Sequence, residues 1–364
     1  MSFVNKINNI ISFIIFLFLE KFLKKEKTSE GENVLFVNLG LLGDVVLSTP
    51  IFANEDALLK KGRIYFLIDV KWKDLFGAYG GKVKILFVDK KKYRFNLPYR
   101  IKFLKTLKSK NFREVYNLSF TRISIDDEIS LIAAGGSKSF AFENNPKLER
   151  VFDKRFEKRY SVVMERTAGS DLENIAKVLE KFSRENILRE TLVFHKKKEV
   201  SGLSRGNYFV VAPFASLRIK EWEIENYKKL IGMLASEFGL QAVVLHSEKR
   251  SDFNEINNVI NLSGRTTLAE ASFVIEGARF FVGNDTGLLH LAKALKKKVF
   301  GIVGGGVWGR IYPYSEKDNA TYFYKKLDCF NCDWKCKYDF AECLQEVEAE
   351  RVYFEIKNYL QANE

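Results

Sequence analysis

The chain has 364 residues, 46% of them hydrophobic and 14% aromatic, and a formal charge of +13. That composition excludes a disordered protein, and the length suits two domains better than one core. No low-complexity tract, internal repeat, HExxH, Walker A or G-x-S-x-G pattern is present, so those classes fall away too.

The first element is an apolar run, Ile10 to Leu19, followed by Lys21, Lys24, Lys25 and Lys27. The run is shorter than the ~20 residues that cross a hydrocarbon core. Its charge order is also the reverse of a signal peptide's. Ile7, Ile11, Ile14, Phe18 and Phe22 fall on one helical stripe. The pattern predicts a helix lying on a membrane surface, with the trailing lysines on anionic lipid. A helix packed on its own domain or on a dimer partner carries the same pattern. A short signal anchor with positive charge behind it would equally leave the main body cytoplasmic.

From Asn33 onward, strands and helices alternate. "NVLFVNL", "RIYFLID", "VKILFVD" and "REVYNLS" read as strands; "DVVLSTPIFANEDALLKK", "KWKDLFGAYG" and "LPYRIKFLKTLKSKN" read as helices. Residues 121–170 are irregular, and "SDLENIAKVLEKF" is helical behind the N-cap Ser170. Within this half, Lys and Arg recur from Lys82 to Arg113 with Asp89 as the one acid. Such a stretch meets nucleic acid, acidic lipid or a phosphorylated substrate, or is a solvated face. No nucleic-acid motif accompanies it, and Tyr93, Phe95, Tyr99 and Phe103 read as core packing.

The polar stretch 196–207 reads as a linker. A second alternating series follows. "YFVVAPF", "QAVVLHS", "RFFVGND" and "KVFGIVGG" are strands. Helices are expected at "WEIENYKKLIGMLASEFG", near 250–258, at "TLAEASFVIEGA", at "TGLLHLAKALK" and from Val347 to Leu360. The chain thus predicts an α/β protein with two doubly wound, Rossmann-like domains. The expected boundaries are 1–30 for the surface helix and its linker, 31–200 and 201–345 for the two domains, and 346–364 for a last helix. Ligands of such sheets bind beyond the carboxyl ends of the strands.

Three strand-to-helix junctions carry chemistry. In "VNLGLLGDVVLSTP", Asp44 follows Gly43 where a helix opens, either as a cap or as an ionised carboxylate aimed at a ligand. In "APFASLRIKEW", Ser216, Arg218 and Lys220 lie in a loop before a helix, and a lysine there suits a phosphate. In "VGNDTGLLHLAKAL", Asp285 and Thr286 sit at a helix N-terminus whose amides can receive a diphosphate. His290, one turn on, reads as a hydrogen-bonded packing residue.

Together these segments, with "GIVGGG…YPY" and "CFNCDWKC…CL" after them, resemble glycosyltransferase family 9, the ADP-heptose:lipopolysaccharide heptosyltransferases. The resemblance runs from about residue 33 to 352. It implies a GT-B fold, with two facing Rossmann-like domains across a cleft, the acceptor on the first and the nucleotide sugar on the second. Carried over by motif, Asp44 is the general base and Lys220 the phosphate-binding lysine, with Ser216 the hydroxyl residue before it. Asp285, Thr286 and Gly287 lie near the donor sugar and diphosphate, and Glu248 falls nearest to the acid that touches the ribose. On the acceptor side, Gly43 and the basic Lys90, Lys91, Lys92 and Arg94 are the candidates. The implied reaction is an inverting transfer of a heptose or related sugar from ADP-heptose or a similar ADP-sugar. The acceptor is a lipopolysaccharide core or another anionic, lipid-linked saccharide. No cofactor is required, no Asp-x-Asp motif occurs, and no nucleic-acid partner is expected. The enzyme would work in the cytoplasm, peripherally attached to the inner-membrane surface. A non-catalytic sugar-nucleotide-binding or scaffold protein of the same fold is the alternative.

Two features stand apart. "GGGVWG", Gly304 to Gly309, matches G-x-G-x-x-G, but Ile311-Tyr312-Pro313-Tyr314 does not open the helix a dinucleotide site needs. It reads as a wall near the nucleotide. Cys329, Cys332, Cys336 and Cys343 are the chain's four cysteines. Their spacing can ligate zinc or an iron–sulfur cluster or form two disulfides, and a cytoplasmic setting disfavours disulfides. A structural clamp on the terminal segment, with or without a metal, is expected.

Overall fold

The structure is a computed structural model. It describes residues 3–23, 31–144, 154–167, 169–196, 198–314 and 318–363, with side chains from residue 10 onward. The Ile7 side chain, Lys24, Lys25 and Lys27 of the expected lipid-facing set, and Lys197 of the expected linker, lie outside the described residues. The chain divides into two compact units, Met1–Thr191 and Leu192–Glu364.

The first unit holds β1 (Asn33–Val37), β2 (Arg63–Asp69), β3 (Lys84–Val88), β4 (Phe112–Asn117), β5 (Lys138–Phe142) and β6 (Val162–Met164). They pair in parallel in the order β3-β2-β1-β4-β5-β6. The first four match the apolar runs of the sequence. The last two come from the stretch that reads as irregular. The cause is the helix Ser124–Ala134, which is buried along most of its length, Asp126, Asp127 and Glu128 included. A helix with charged residues on its buried side shows no clean 3.6-residue period. Those charges are tied internally: Arg122, with no exposed side chain, holds Asp127 and Glu157, each at 2.9 Å. Glu128 accepts from the Tyr93 hydroxyl and the Arg100 guanidinium. The segment from Asp44 onward, expected as one helix, is three short ones, Leu42–Leu47, Pro50–Ala53 and Glu55–Leu59. Pro50 can only start a helix segment, because it has no amide to donate.

The second unit holds β7 (Tyr208–Ala212), β8 (Gln241–Val244), β9 (Val259–Asn261), β10 (Phe281–Asn284), β11 (Val299–Ile302) and β12 (Ala320–Phe323), in the order β12-β11-β10-β7-β8-β9. This is again a parallel, doubly wound Rossmann-type sheet, with its first strand beside the point where the strand order reverses. The short edge strands β9 and β12 carry too few apolar residues to stand out in the sequence. The expected helix near 250–258 is a run of turns leading into β9. The last helix, Ala349–Gln361, belongs to the domain: Val352, Ile356 and Leu360 are buried with Leu230 and Leu234.

At the N-terminus, Phe3–Phe22 is one helix. One face is docked: Phe16, Leu19 and Leu23 join the first core, and the Phe13 and Phe16 rings each lie 5.1 Å from Phe156. Ile11, Ile14, Phe18 and Phe22, the expected stripe, form an outer face and are exposed. The helix therefore packs on its own domain and keeps an apolar side outward. No helix among the described residues is long and apolar enough to cross a membrane. Of the basic stretch's aromatics, Tyr93 is buried and Tyr99 and Phe103 half-buried. Phe95 is exposed on the short helix Lys90–Phe95, against the expectation of core packing.

Docking of the N-terminal helix is testable by paired substitutions. Phe16→Ala should cost about 3 kcal/mol in urea unfolding of the first unit. Phe18→Ser on the outer face should change it by less than about 0.5 kcal/mol. Equal costs would contradict the two-faced packing.

Candidate active site

In a doubly wound sheet, a crevice opens where neighbouring strands send their connections to opposite faces. Here those points lie between β1 and β4 in the first sheet and between β7 and β10 in the second. The three chemical motifs follow β1, β7 and β10.

Beyond β1, Asn38 organises the turn. Its Nδ2 donates to the Asp44 carbonyl (2.9 Å) and the Ser48 hydroxyl (2.7 Å), and its Oδ1 accepts from the Gly40 amide (3.0 Å). Asp44 sits half-buried in the first turn of Leu42–Leu47, where its Oδ2 accepts from the Leu41 amide at 2.9 Å. The capping role is thus present, and it fixes the carboxylate's position. A Cβ on Gly40 would lie 2.6 Å from that same Oδ2, so only glycine lets the turn close over Asp44. Gly43 is buried within the turn.

Of the basic candidates, Lys90 turns inward, its Nζ donating to the Leu39 carbonyl at 2.6 Å. Lys91, Lys92 and Arg94 are exposed, and Lys92 lies 3.7 Å from Asp89. Lys71, which no motif singles out, joins the group. Burial lowers its amine, Asp69 opposes this, and the Lys90 charge adds to it. Asp126 is buried at the start of Ser124–Ala134, and burial pushes its carboxyl up to about 6, with Lys90 opposing and Asp44 adding. Asp44, Lys71, Lys90 and Asp126 therefore share one electrostatic neighbourhood at the carboxyl edge of the first sheet.

Beyond β7 and β10, Asn284 pins the two loops together. Its Oδ1 accepts from the Trp222 amide (3.2 Å) and the Tyr227 hydroxyl (2.8 Å), and its Nδ2 donates to the Pro213 carbonyl (2.5 Å). That clamp delivers Lys220, in the turn Arg218–Lys220, to Asp285: Nζ to Oδ2 is 2.7 Å. The other oxygen, Oδ1, accepts from the Tyr312 hydroxyl at 2.8 Å. Burial alone would push the Asp285 carboxyl up, but the Lys220 charge and these hydrogen bonds hold it below the usual carboxylate value. Thr286 is the residue before the helix Gly287–Ala294, and its hydroxyl is buried without a partner among the described residues. The first amides of that helix, from Gly287, lie at its positive end. Ser216 and Glu248 are exposed on the loops after β7 and β8, outside this network.

His290 is buried behind Asp285. Since the Tyr312 hydroxyl donates to Asp285, His290 Nε2 donates to Tyr312 (3.1 Å), and Nδ1 accepts from the Tyr314 hydroxyl. Burial lowers His290 to about 4, so the ring is neutral. The packing role read from the sequence is this one. Tyr312 and Asn284 lie inside the quoted motifs, "YPY" and "VGNDTG", but their partners are not readable from them.

The triple glycine serves a different purpose from a dinucleotide loop. A Cβ on Gly305 would meet the Phe330 ring at 2.2 Å, and one on Gly306 the Trp334 ring at 2.4 Å. The Asn331 and Asp333 amides donate to the Gly305 and Gly306 carbonyls, each at 2.8 Å. These glycines seat the cysteine segment, and through it Trp334, whose ring lies 5.2 Å from Lys220 Nζ. All four cysteines line one small cavity there as free thiols. Among the described residues, no group of three or more His, Cys, Asp or Glu side chains is spaced to hold a metal ion.

Two Rossmann-ordered parallel sheets, each with polar side chains gathered at its switch point, define the fold class of the GT-B glycosyltransferases. The profile of "Glycosyltransferase family 9 (heptosyltransferase)" matches residues 158–337. That stretch, just under half of the chain, thus carries the sequence pattern of glycosyltransferase family 9. It is 24% identical over 178 residues to lipooligosaccharide heptosyltransferase 2 of Campylobacter jejuni subsp. jejuni, a stretch covering 46% of this chain and 53% of that protein. The chain thus spans about half the length of that relative. Its fold matches the E. coli heptosyltransferase WaaC with ADP-2-deoxy-2-fluoro heptose at a TM-score of 0.63 and 17% identity, over 91% of this chain and 100% of WaaC. It also matches the iron-containing dodecameric glycosyltransferase TibC of enterotoxigenic E. coli at a TM-score of 0.57 and 15% identity, over 93% and 78%.

The neutral His290 has a pH signature. Its native value of about 4 lies below the ordinary 6.5, so between these values the unfolded chain takes up a proton that the folded chain refuses. Stability from this site is whole above about pH 6.5 and drains as pH falls toward 4, by up to about 3 kcal/mol. Thermal unfolding from pH 7 to 4 should fall less steeply in His290→Gln than in the parent. Parallel curves would contradict the buried neutral ring.

Proposed function

We propose that this chain is an inverting glycosyltransferase. It moves a heptose, or a related sugar, from an ADP-sugar to a lipopolysaccharide core or another anionic, lipid-linked saccharide. The observation that carries the reading is the second unit's cradle: Lys220 on Asp285, directly before the open first turn at Thr286 and Gly287. A cation beside a helix N-terminus suits a diphosphate. The family match over residues 158–337 supports the substrate class, and WaaC and TibC have both been solved with ADP-heptose compounds bound.

In this reading the second unit holds the donor and the first supplies the base. The acceptor hydroxyl oxygen attacks the anomeric carbon. The bond from that carbon to the diphosphate breaks, and ADP leaves with the bonding electrons. Asp44 takes the hydroxyl proton. Fixed by the Leu41 amide, this carboxylate works by placement more than by basicity. Lys220 and the first-turn amides of Gly287–Ala294 stabilise the charge that builds on the leaving diphosphate. Lys90 and Lys71 attract the carboxylates or phosphates of the acceptor, Ser216 stays a donor-side contact, and Glu248 reaches the ribose. We propose no cofactor for the transfer. The four thiols serve structure, lining one cavity with Trp334; thiols are donors for zinc or an iron–sulfur cluster, but the spacing here would have to close before they could hold one. The enzyme would work in the cytoplasm, peripherally attached to the inner membrane, since a lipid-linked acceptor is confined to a membrane surface.

The test is acceptor-dependent release of ADP from ADP-heptose. The parent chain should release ADP only with acceptor present, and Asp44→Ala should lose about 10²–10⁴-fold in turnover with donor affinity kept. Full turnover in that variant would remove Asp44 from the mechanism. Donor binding without any acceptor-dependent release would favour a sugar-nucleotide-binding protein.

A further inference from the structure

The outer face of the N-terminal helix has no use in the transfer chemistry. Ile14 is 59% exposed, Phe18 67% and Phe22 59%, and the Phe18 and Phe22 rings lie parallel, 6.1 Å apart. Burying large apolar side chains is the main drive of folding, so a row of them left in water marks a contact surface. The helix is also fixed in place. Its inner face is locked into the first core through Phe16 and Leu19, and Glu20 pairs with Arg159. The outer row therefore cannot fold inward without breaking that docking.

Cations border the row. Lys21 is exposed on the helix itself, and Lys105 lies 5.7 Å over the Phe22 ring. The one acid on this helix, Glu20, is taken up by Arg159. An apolar row rimmed by positive charge fits a membrane interface, where the rings enter the acyl boundary and the cations meet anionic headgroups. A second copy of the chain fits poorly. A two-fold interface would press Lys21 and Lys105 against their own equivalents, like charge on like.

We propose that this face, with Phe18 and Phe22 as its anchors and Lys21 and Lys105 as its rim, docks the first unit flat on an anionic lipid bilayer. The inference rests on the membrane-surface part of the reading above, which it sharpens, and it is independent of the transfer chemistry. Docking would confine the unit to the plane that carries a lipid-linked acceptor, converting a three-dimensional search into a two-dimensional one.

The experiment is co-sedimentation of the full chain with phosphatidylcholine vesicles, with and without phosphatidylglycerol. The parent should bind the phosphatidylglycerol vesicles, and the Phe18→Ser, Phe22→Ser double variant should bind them at least about tenfold more weakly. Lys21→Glu with Lys105→Glu should abolish the preference for phosphatidylglycerol. The Phe variant should melt like the parent and release ADP at the parent's rate with a delipidated, soluble acceptor saccharide. Equal vesicle binding by parent and Phe variant would overturn the proposal. So would a parent that ignores vesicles and runs as a dimer by light scattering, with the Phe variant monomeric. Failure of the transfer reading would show separately, as absent ADP release with vesicle binding intact.

Discussion

The contact between Lys220 and Asp285 is the constraint around which the second unit's site is arranged. An ion pair this buried is costly to desolvate, and it stands only when both groups have further partners. Asp285 has one in the Tyr312 hydroxyl, which is itself oriented by the neutral His290. Lys220 lies over the Trp334 ring. Asn284 sets the approach of the two loops by binding backbone and side chains from the β7 connection. Removing either charge would strand the other, so the surrounding polar shell holds in place a cation and a helix start that are ready for an anion.

That arrangement reaches into parts of the chain with no chemistry of their own. Glycines at 305 and 306 leave room for the Phe330 and Trp334 rings, and the cysteine segment follows the rings into place. The first unit uses the same device at a smaller scale. Gly40 leaves room for the Asp44 carboxylate, and Asn38 closes the turn. In both units, a close approach that only glycine permits fixes a side chain of the site: the Asp44 carboxylate in the first, the Trp334 ring beside Lys220 in the second.

Much of this can be read from the sequence, for physical reasons. Apolar runs such as "NVLFV" and "YFVVA" are buried on both sides of a parallel sheet and cannot be mistaken for loops. Strand-to-helix junctions place Asp44, Lys220 and Asp285 where ligands of such sheets bind. What escapes is determined by tertiary contact. The helix Ser124–Ala134 hides three acids, Asp126, Asp127 and Glu128, inside the fold, so its periodicity is lost, and β5 and β6 go unread with it. Tyr312, Asn284 and Lys71 matter through partners far away in sequence, which no local pattern reports. The N-terminal helix admits two readings, a surface helix or a packed one. Its inner face is packed, and the expected stripe is the part left exposed.

If the proposed function is right, Lys220, held by Asp285 at a helix start, receives the diphosphate of the donor. Calorimetric titration of ADP into the full chain measures that contact. Lys220→Ala should raise the dissociation constant by about tenfold or more, the loss of one charge-assisted contact. Lys91→Ala, at an exposed position in the other unit, is the control and should leave the constant unchanged. An ADP affinity indifferent to Lys220 would contradict a diphosphate seated on this lysine.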